Sequence, residues 1–151
     1  MNSISITIQR FQESLDKAGD YLIGMILRLF LAYEFFESGI IKVTGSNWFM
    51  DIQTEMPLPF SLFTVEFNWF LATWVELIGA LFLLIGLATR YTAFALLLLS
   101  LTAWYSVHTG YGYNICSNGY KMAMIYSITL LPLILQGAGK MSLDHWLKYR
   151  R

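Results

Sequence analysis

Four ionisable side chains fall within sixteen residues of an otherwise apolar stretch: Arg28, Glu34, Glu37 and Lys42 in Leu27–Lys42, LRLFLAYEFFESGIIK. A fifth, Glu76, lies near the middle of the next apolar run. An ionisable group near a bilayer centre costs at least about 2.5–3.5 kcal/mol on insertion scales, so such groups face protein or a wet cavity. A desolvated carboxyl beside another one is suited to hold and release a proton near neutral pH. Protonated Glu76 or Glu34 could then donate to a quinone carbonyl, with Phe35, Phe36 and Trp74 forming an apolar slot for the ring. The same residue types support a plainer reading, in which Arg28, Glu34 and Glu76 form one buried network that fixes helix register.

A second group, His108, Cys116, Met122 and Met124, contains soft ligands that would suit Cu(I). Its spacing is not diagnostic, and an interfacial His, a small buried thiol and two core methionines account for it equally well. His145 has no second ligand beside it. One cysteine makes neither an intrachain disulfide nor a zinc ribbon. The sequence has no Gly-rich phosphate loop, no Ser/His/Asp arrangement and no pair of histidines at helix depth, so no autonomous catalytic motif is visible.

The elements that must position these groups are helices in lipid. Of 151 residues, 56% are hydrophobic and 13% charged, and the mean hydropathy is +0.53; a chain this short and apolar reads as a single membrane domain. Ten basic and ten acidic residues cancel, leaving no global field that would draw in nucleic acid. Four apolar runs, Tyr21–Ile41, Phe67–Leu87, Thr92–His108 and Tyr120–Gln136, each approach the roughly 17–25 residues that a spanning helix needs. Residues 1–20 read as an N-terminal cytoplasmic segment, either a polar tail or an interfacial helix with Ile8, Phe11 and Leu15 on one face. No small-x-small cleavage site follows the first run, which is expected to stay attached. Residues 21–137 make the four-helix transmembrane domain. Residues 138–151 form a short amphipathic segment after Gly137-Ala138-Gly139.

With both termini inside, Arg10, Lys17, Arg90, Lys140, Lys148, Arg150 and Arg151 are cytoplasmic, against Lys42 and Lys121 outside. Seven against two is a positive-inside bias. Short connections imply an up-down-up-down bundle, Gly24, Gly79 and Gly86 offer close approaches, and Pro132 is expected to kink the fourth helix. The link Val43–Glu66 is long enough to fold over the bundle mouth. On the first helix Glu34, Ser38 and Ile41 share a side, with Arg28 about 120° round from Glu34. Lys42 can bend back over Glu37 or Ser38, and Glu76 is expected within about a turn of Arg28 and Glu34 in depth.

In order along the chain, Arg28, Ser38-Gly39 with Lys42, Glu76-Leu77-Ile78-Gly79, Leu84-Ile85-Gly86-Leu87-Ala88-Thr89-Arg90, His108 and Gly137-Ala138-Gly139-Lys140-Met141-Ser142-Leu143-Asp144 resemble the DoxX family of small four-helix bacterial inner-membrane proteins. The final stretch departs slightly from the family's usual Gly-Pro-Gly or Gly-x-Gly before Ser-x-Asp, and Glu34 and Glu37 lie outside the pattern. The resemblance implies a multi-pass inner-membrane protein with Arg28, Lys42, Glu76, Arg90 and His108 as positions of interest, Glu76 facing quinone and Arg90 anchoring topology. It also implies a role as accessory subunit of a quinone- or thiol-linked redox system. The alternative is a non-enzymatic docking or assembly protein, in a system such as metal-binding peptide biosynthesis or a copper or oxidative stress response, holding its partner by Val43–Glu66 or the C-terminal segment. Transport through the charged interior would require oligomerisation.

Overall fold

The computed structural model describes residues 3–150, and all of their regular structure is helical. The first helix, α1, runs from Ser3 to Thr44 in one piece. Its N-terminal part carries no proline, so the backbone ladder continues through residue 20 and the amphipathic segment is continuous with the first apolar run. Ile8, Phe11 and Leu15 on that part are all exposed. α2 spans Val65–Ile85, with Thr64 as N-cap accepting from the Phe67 amide at 3.3 Å and Glu66 in the first turn, where a carboxylate suits the helix dipole. α3, Thr89–Ala103, continues through a π-helical turn at Trp104–His108 and a short 3₁₀ turn to Tyr111. α4 is Lys121–Gln136 and α5 is Leu143–Tyr149, whose N-cap Ser142 accepts from the His145 amide.

Leu31 and Phe35 of α1, Ala80 and Leu83 of α2, Ala93 and Leu96 of α3, and Leu130 and Leu133 of α4 form one buried core. α1 packs on α2, α2 on α3, α3 on α4 and α4 back on α1, which closes a four-helix ring. Neighbours run antiparallel: Ser38 meets Glu76 while Arg28 meets Leu83, and Arg90 reaches Gly137 while Trp104 stacks on Tyr120. Gly79 lets α2 approach α3 closely, since a Cβ there would sit 3.1 Å from Leu96. Gly24 instead packs on the backbone of Ala138 and Gly139, and Gly86 ends α2 against Arg28. Pro132 lies inside α4.

The link between α1 and α2 coils through three 3₁₀ turns and folds down on the bundle. Phe49 and Met56 are buried with Ala72 of α2, flanked by Ile52, Phe60 and Trp69. Many large apolar residues on the outside of the ring remain exposed, among them Tyr33, Phe70, Trp74, Leu81, Phe94 and Leu135. A water-soluble monomer rarely shows so much contiguous apolar surface. Two segments, Val65–Ile85 and Thr89–Tyr111, are long and apolar enough to cross a membrane.

Candidate functional site

The buried polar groups collect at two places. At the end of the bundle where α2 meets α3, Arg28 is only 2% exposed and is held by carbonyl oxygens. Its Nε donates to Gly24 O at 3.3 Å, Nη1 to Leu83 O at 3.2 Å and Nη2 to Met141 O. One guanidinium thereby ties α1, the last turn of α2 and the chain entering α5, using the fork of donors that only Arg supplies. Gly86 turns α2 away with φ +69°, and a Cβ there would fall 2.2 Å from Arg28 Nη1, so both backbone conformation and space require glycine. Asp144 completes the join. Its carboxylate accepts from the amides of Ala88 at 2.7 Å and Thr89 at 2.8 Å, capping α3, while its own amide donates to Gly86 O at 2.9 Å.

At the opposite end, a cavity of about 680 Å³ opens between the helices under the folded link. Glu76, 6% exposed, is its central anion. Lys42 Nζ donates to both Glu76 oxygens at 2.8 Å and to Ser38 Oγ at 2.9 Å, and Ser38 Oγ donates to Glu76 Oε1 at 3.1 Å. Lys42 reaches this position because Ser38 lies one turn back on the same face of α1, as the helical spacing requires. The Tyr126 hydroxyl of α4 donates to Glu34 Oε2, and the Tyr126 ring packs against Phe35 with centroids 5.8 Å apart. Most of the remaining wall is apolar or aromatic, including Phe35, Ile41, Trp48, Phe49, Leu71 and Leu99.

The expected single network of Arg28, Glu34 and Glu76 is therefore divided between two sites, with Arg28 at one end and Glu34 and Glu76 lining the same cavity on different partners. Arg28 and Glu76 lie two helical turns apart along α2, because Arg28 meets Leu83 while Glu76 meets Ser38 and Lys42. Phe35 lines the cavity as expected, but Phe36 and Trp74 do not; both are 46% exposed on the outside of the ring, one residue away from an inward-facing neighbour. Glu37 lines the cavity and is exposed. Arg90 is exposed beside Gly137.

His108 also lines the cavity, its Nδ1 donating to Asn118 O at 2.7 Å. Met122 joins it there, whereas Cys116 is exposed on the loop beyond and Met124 lies about 200° round α4 from Met122. Among the described residues, no three His, Cys, Asp or Glu side chains come together to hold a metal ion.

Among the cavity residues that escaped the sequence reading are Tyr126, Asn68, Ser100 and Ser106. Antiparallel register brings Tyr126 within a turn of Glu34, since Gly24 against Ala138 sets residue 128 opposite residue 34. The other three are single small polar residues in apolar runs, with no signal in their spacing.

The family model described as DoxX matches residues 23–109, covering the bundle part of α1, all of α2 and α3 and the turns to His108. A Haemophilus influenzae protein described as uncharacterized is 52% identical over 124 residues, 82% of this chain and 82% of that protein. A second from the same organism, also described as uncharacterized, is 32% identical over 74 residues, 47% of this chain and 55% of its own length. No solved structure matches. The matched residues hold Arg28, Lys42, Glu76, Arg90 and His108, and on this match the chain belongs to the DoxX family, a membrane-associated family.

Proposed function

We propose that this protein is a four-span inner-membrane subunit that binds a quinone-type ring in the cavity under the α1–α2 link and serves a partner redox complex. The observation that carries the reading is the cavity itself. About 680 Å³ suits a small-molecule site, and a largely apolar, aromatic wall around a few convergent polar groups is the usual composition of one. Of the four buried side-chain polar atoms without a partner among the described residues, Asn68 Oδ1, Ser100 Oγ and Ser106 Oγ belong to residues of this wall, and the fourth, Thr89 Oγ1, lies at the other end of the bundle.

In this reading Phe35, Phe49 and Trp48 bind the ring, and Glu76, Glu34 and Tyr126 hold protons near its oxygens. Quinone supplies two-electron, two-proton chemistry when bound, and in this reading the partner complex exchanges the electrons. The exposed apolar ring surface and the seven-against-two Lys/Arg asymmetry support four spans with both termini inside. α4, about 24 Å long, is shorter than α2 and than α3 taken with its continuation to Tyr111. The cavity then opens on the outer side and the Arg28–Asp144 join lies on the inner side.

The test is titration of the purified protein in lipid nanodiscs with a short-chain ubiquinone analogue, read by tryptophan quenching. Trp48 and Trp69, packed edge to face at 6.0 Å beside the cavity, are the reporters. Saturable quenching that Glu76→Gln weakens at least about tenfold is the expected result. Linear quenching, equal in both proteins, would overturn the reading.

A further inference from the structure

The N-terminal part of α1 leaves its apolar side bare. Ile8, Phe11, Leu15, Ala18 and Leu22 are all exposed, Phe11 at 65%. They follow one another at alternating steps of three and four residues, the spacing of a heptad seam, which reaches back in the sequence to Ile4. The charged residues of the same stretch, Arg10, Glu13, Asp16, Lys17 and Asp20, fall within about 120° on the opposite side of the helix. Of the stripe from Ile8 to Leu22, only Leu15 borders the cleft between α1 and α5.

A bilayer does not cover this stripe. α1 is one unbroken helix of 42 residues, about 63 Å long at 1.5 Å per residue, and the hydrocarbon core takes up about 30 Å of that length. In the four-span reading the part before Tyr21 therefore stands off the membrane instead of lying in its plane, while Gly24 packs on the backbone of Ala138 and Gly139 at its base. The stripe continues along the outside of the ring, where Leu29, Tyr33, Phe36 and Ile40, each about five turns beyond a seam residue, are exposed as well. A projecting helix of this length is marginal in water by itself and gains its stability by packing its apolar face.

Resting on the four-span part of the reading above and not on its ligand, we infer that the stripe is the seam of a parallel homodimer, with α1 of a second copy packed along it. A second copy in the same membrane presents the same stripe at the same depth and in the same direction, so equivalent residues meet across a two-fold axis. The alternating spacing gives the narrow seam of a two-helix contact, where a membrane-surface helix needs a wider apolar face. The positions flanking the seam, Gln12, Ser14, Gly19 and Tyr21, carry no charge. Identical chains therefore meet without like-charge repulsion, and the flanking charges that would select a different partner helix are missing.

The experiment is oxidative cross-linking of the full chain in alkali-washed membrane vesicles, in a Cys116→Ser background that carries either Ala18→Cys in the seam or Glu13→Cys on the charged side. The seam cysteine is expected to form a disulfide-linked dimer at least about tenfold faster than the other, whose side chain points away from the second copy. Adding Phe11→Glu to the seam cysteine sets like charges across the seam and should slow the cross-link about tenfold, while thermal unfolding of the bundle stays where it was because Phe11 is exposed. Equal rates for the two cysteines, monomer for both, or a cross-link to a different protein in place of the dimer overturns this inference and leaves the four-span reading standing. Loss of the chain to the alkaline wash overturns both.

Discussion

The two ends of the bundle bury similar groups and treat them in opposite ways. At the Arg28 end, inner in the proposed topology, Arg28 and Asp144 are held by backbone, three carbonyls for the guanidinium and two amides for the carboxylate, and of the side chains buried there Thr89 Oγ1 alone is without a partner among the described residues. At the Glu76 end, outer in the proposed topology, Glu76 and Lys42 satisfy each other beside a cavity, and three of its lining residues, Asn68, Ser100 and Ser106, each bury a polar atom with no partner among the described residues. A buried polar group whose partners are all backbone is part of how the chain closes on itself. One whose neighbours are left bare beside a cavity is set for something that is not the chain.

The largest effects should come from the inner end. Arg28→Met removes three charge-assisted hydrogen bonds, leaving Leu83 O with only the Gly86 amide and Met141 O without its side-chain donor, and is expected to cost about 3 kcal/mol. Gly86→Ala forces a non-glycine residue to positive φ, at about 1–2 kcal/mol, and in addition displaces Arg28. Asp144→Ala removes a helix cap, at about 1–2 kcal/mol. Thermal unfolding in detergent should rank these three in that order or with the first two equal. Near-normal melting of Arg28→Met would erase the distinction between the two ends. Removing residues 142–151 should likewise loosen the bundle, because Asp144 caps α3; that deletion does not probe partner docking alone.

The outer pair should respond differently to the loss of one member and of both. Glu76→Leu alone strands the Lys42 ammonium in a site where it is 11% exposed and should cost about 3 kcal/mol. Lys42→Met with Glu76→Leu replaces both charges by apolar groups of similar size, which in other buried pairs is neutral or stabilising. The double variant should therefore melt at or above the wild-type temperature while losing binding of the ubiquinone analogue at least about tenfold. No such rescue exists for Arg28, whose partners are main-chain carbonyls that mutation cannot remove. If the double variant melted far below wild type, the outer pair would be as structural as the inner one.

Smaller again is Tyr126→Phe. It deletes one hydroxyl from Glu34 and keeps the ring against Phe35, so stability should fall by about 1 kcal/mol and affinity for the ubiquinone analogue by a few-fold. Wild-type affinity in this variant would confine the ligand to the Glu76 side of the cavity.

Hydropathy located the runs within a few residues of α2, α3 with its continuation, α4 and the C-terminal end of α1, because bulk apolarity is a property of a window, but it missed the start of α1, which lies at Ser3 rather than near Tyr21. The helix period also placed Lys42 over Ser38. The Ser142–Asp144 stretch was legible as the start of a terminal segment, but its service as the α3 cap depends on a fold-back that no local pattern encodes. Facing was the poorest signal. In a helix apolar on every side, period does not tell the core stripe from the lipid stripe, so Phe35 and Phe36 look alike in sequence while one lines the cavity and the other is exposed on the outside of the ring. Partner identity failed for the same reason: Glu34 was assigned to Arg28 and Glu76 on charge, whereas the register of α4 gives it a tyrosine.

The smallest effect expected belongs to the other ion pair, Lys140 with Asp20, 2.7 Å apart at the inner surface with side chains 41% and 60% exposed. It joins α1 to the α4–α5 turn, close to the Arg28 hub, yet solvent screens it and two long side chains lose freedom to form it. Its hydrogen bond to Asp20 raises the Lys140 pKa above the usual 10.5. A raised lysine pKa means that the folded state holds the proton more tightly, so any stabilisation is fully present through neutral pH and is lost only as pH climbs past 10.5 toward the folded value. Asp20→Asn should thus leave the melting temperature at pH 7 unchanged within error and flatten only the alkaline limb of the stability curve. A clear drop at pH 7 would show that the inner end draws on surface charge as well as on the backbone contacts of Arg28 and Asp144.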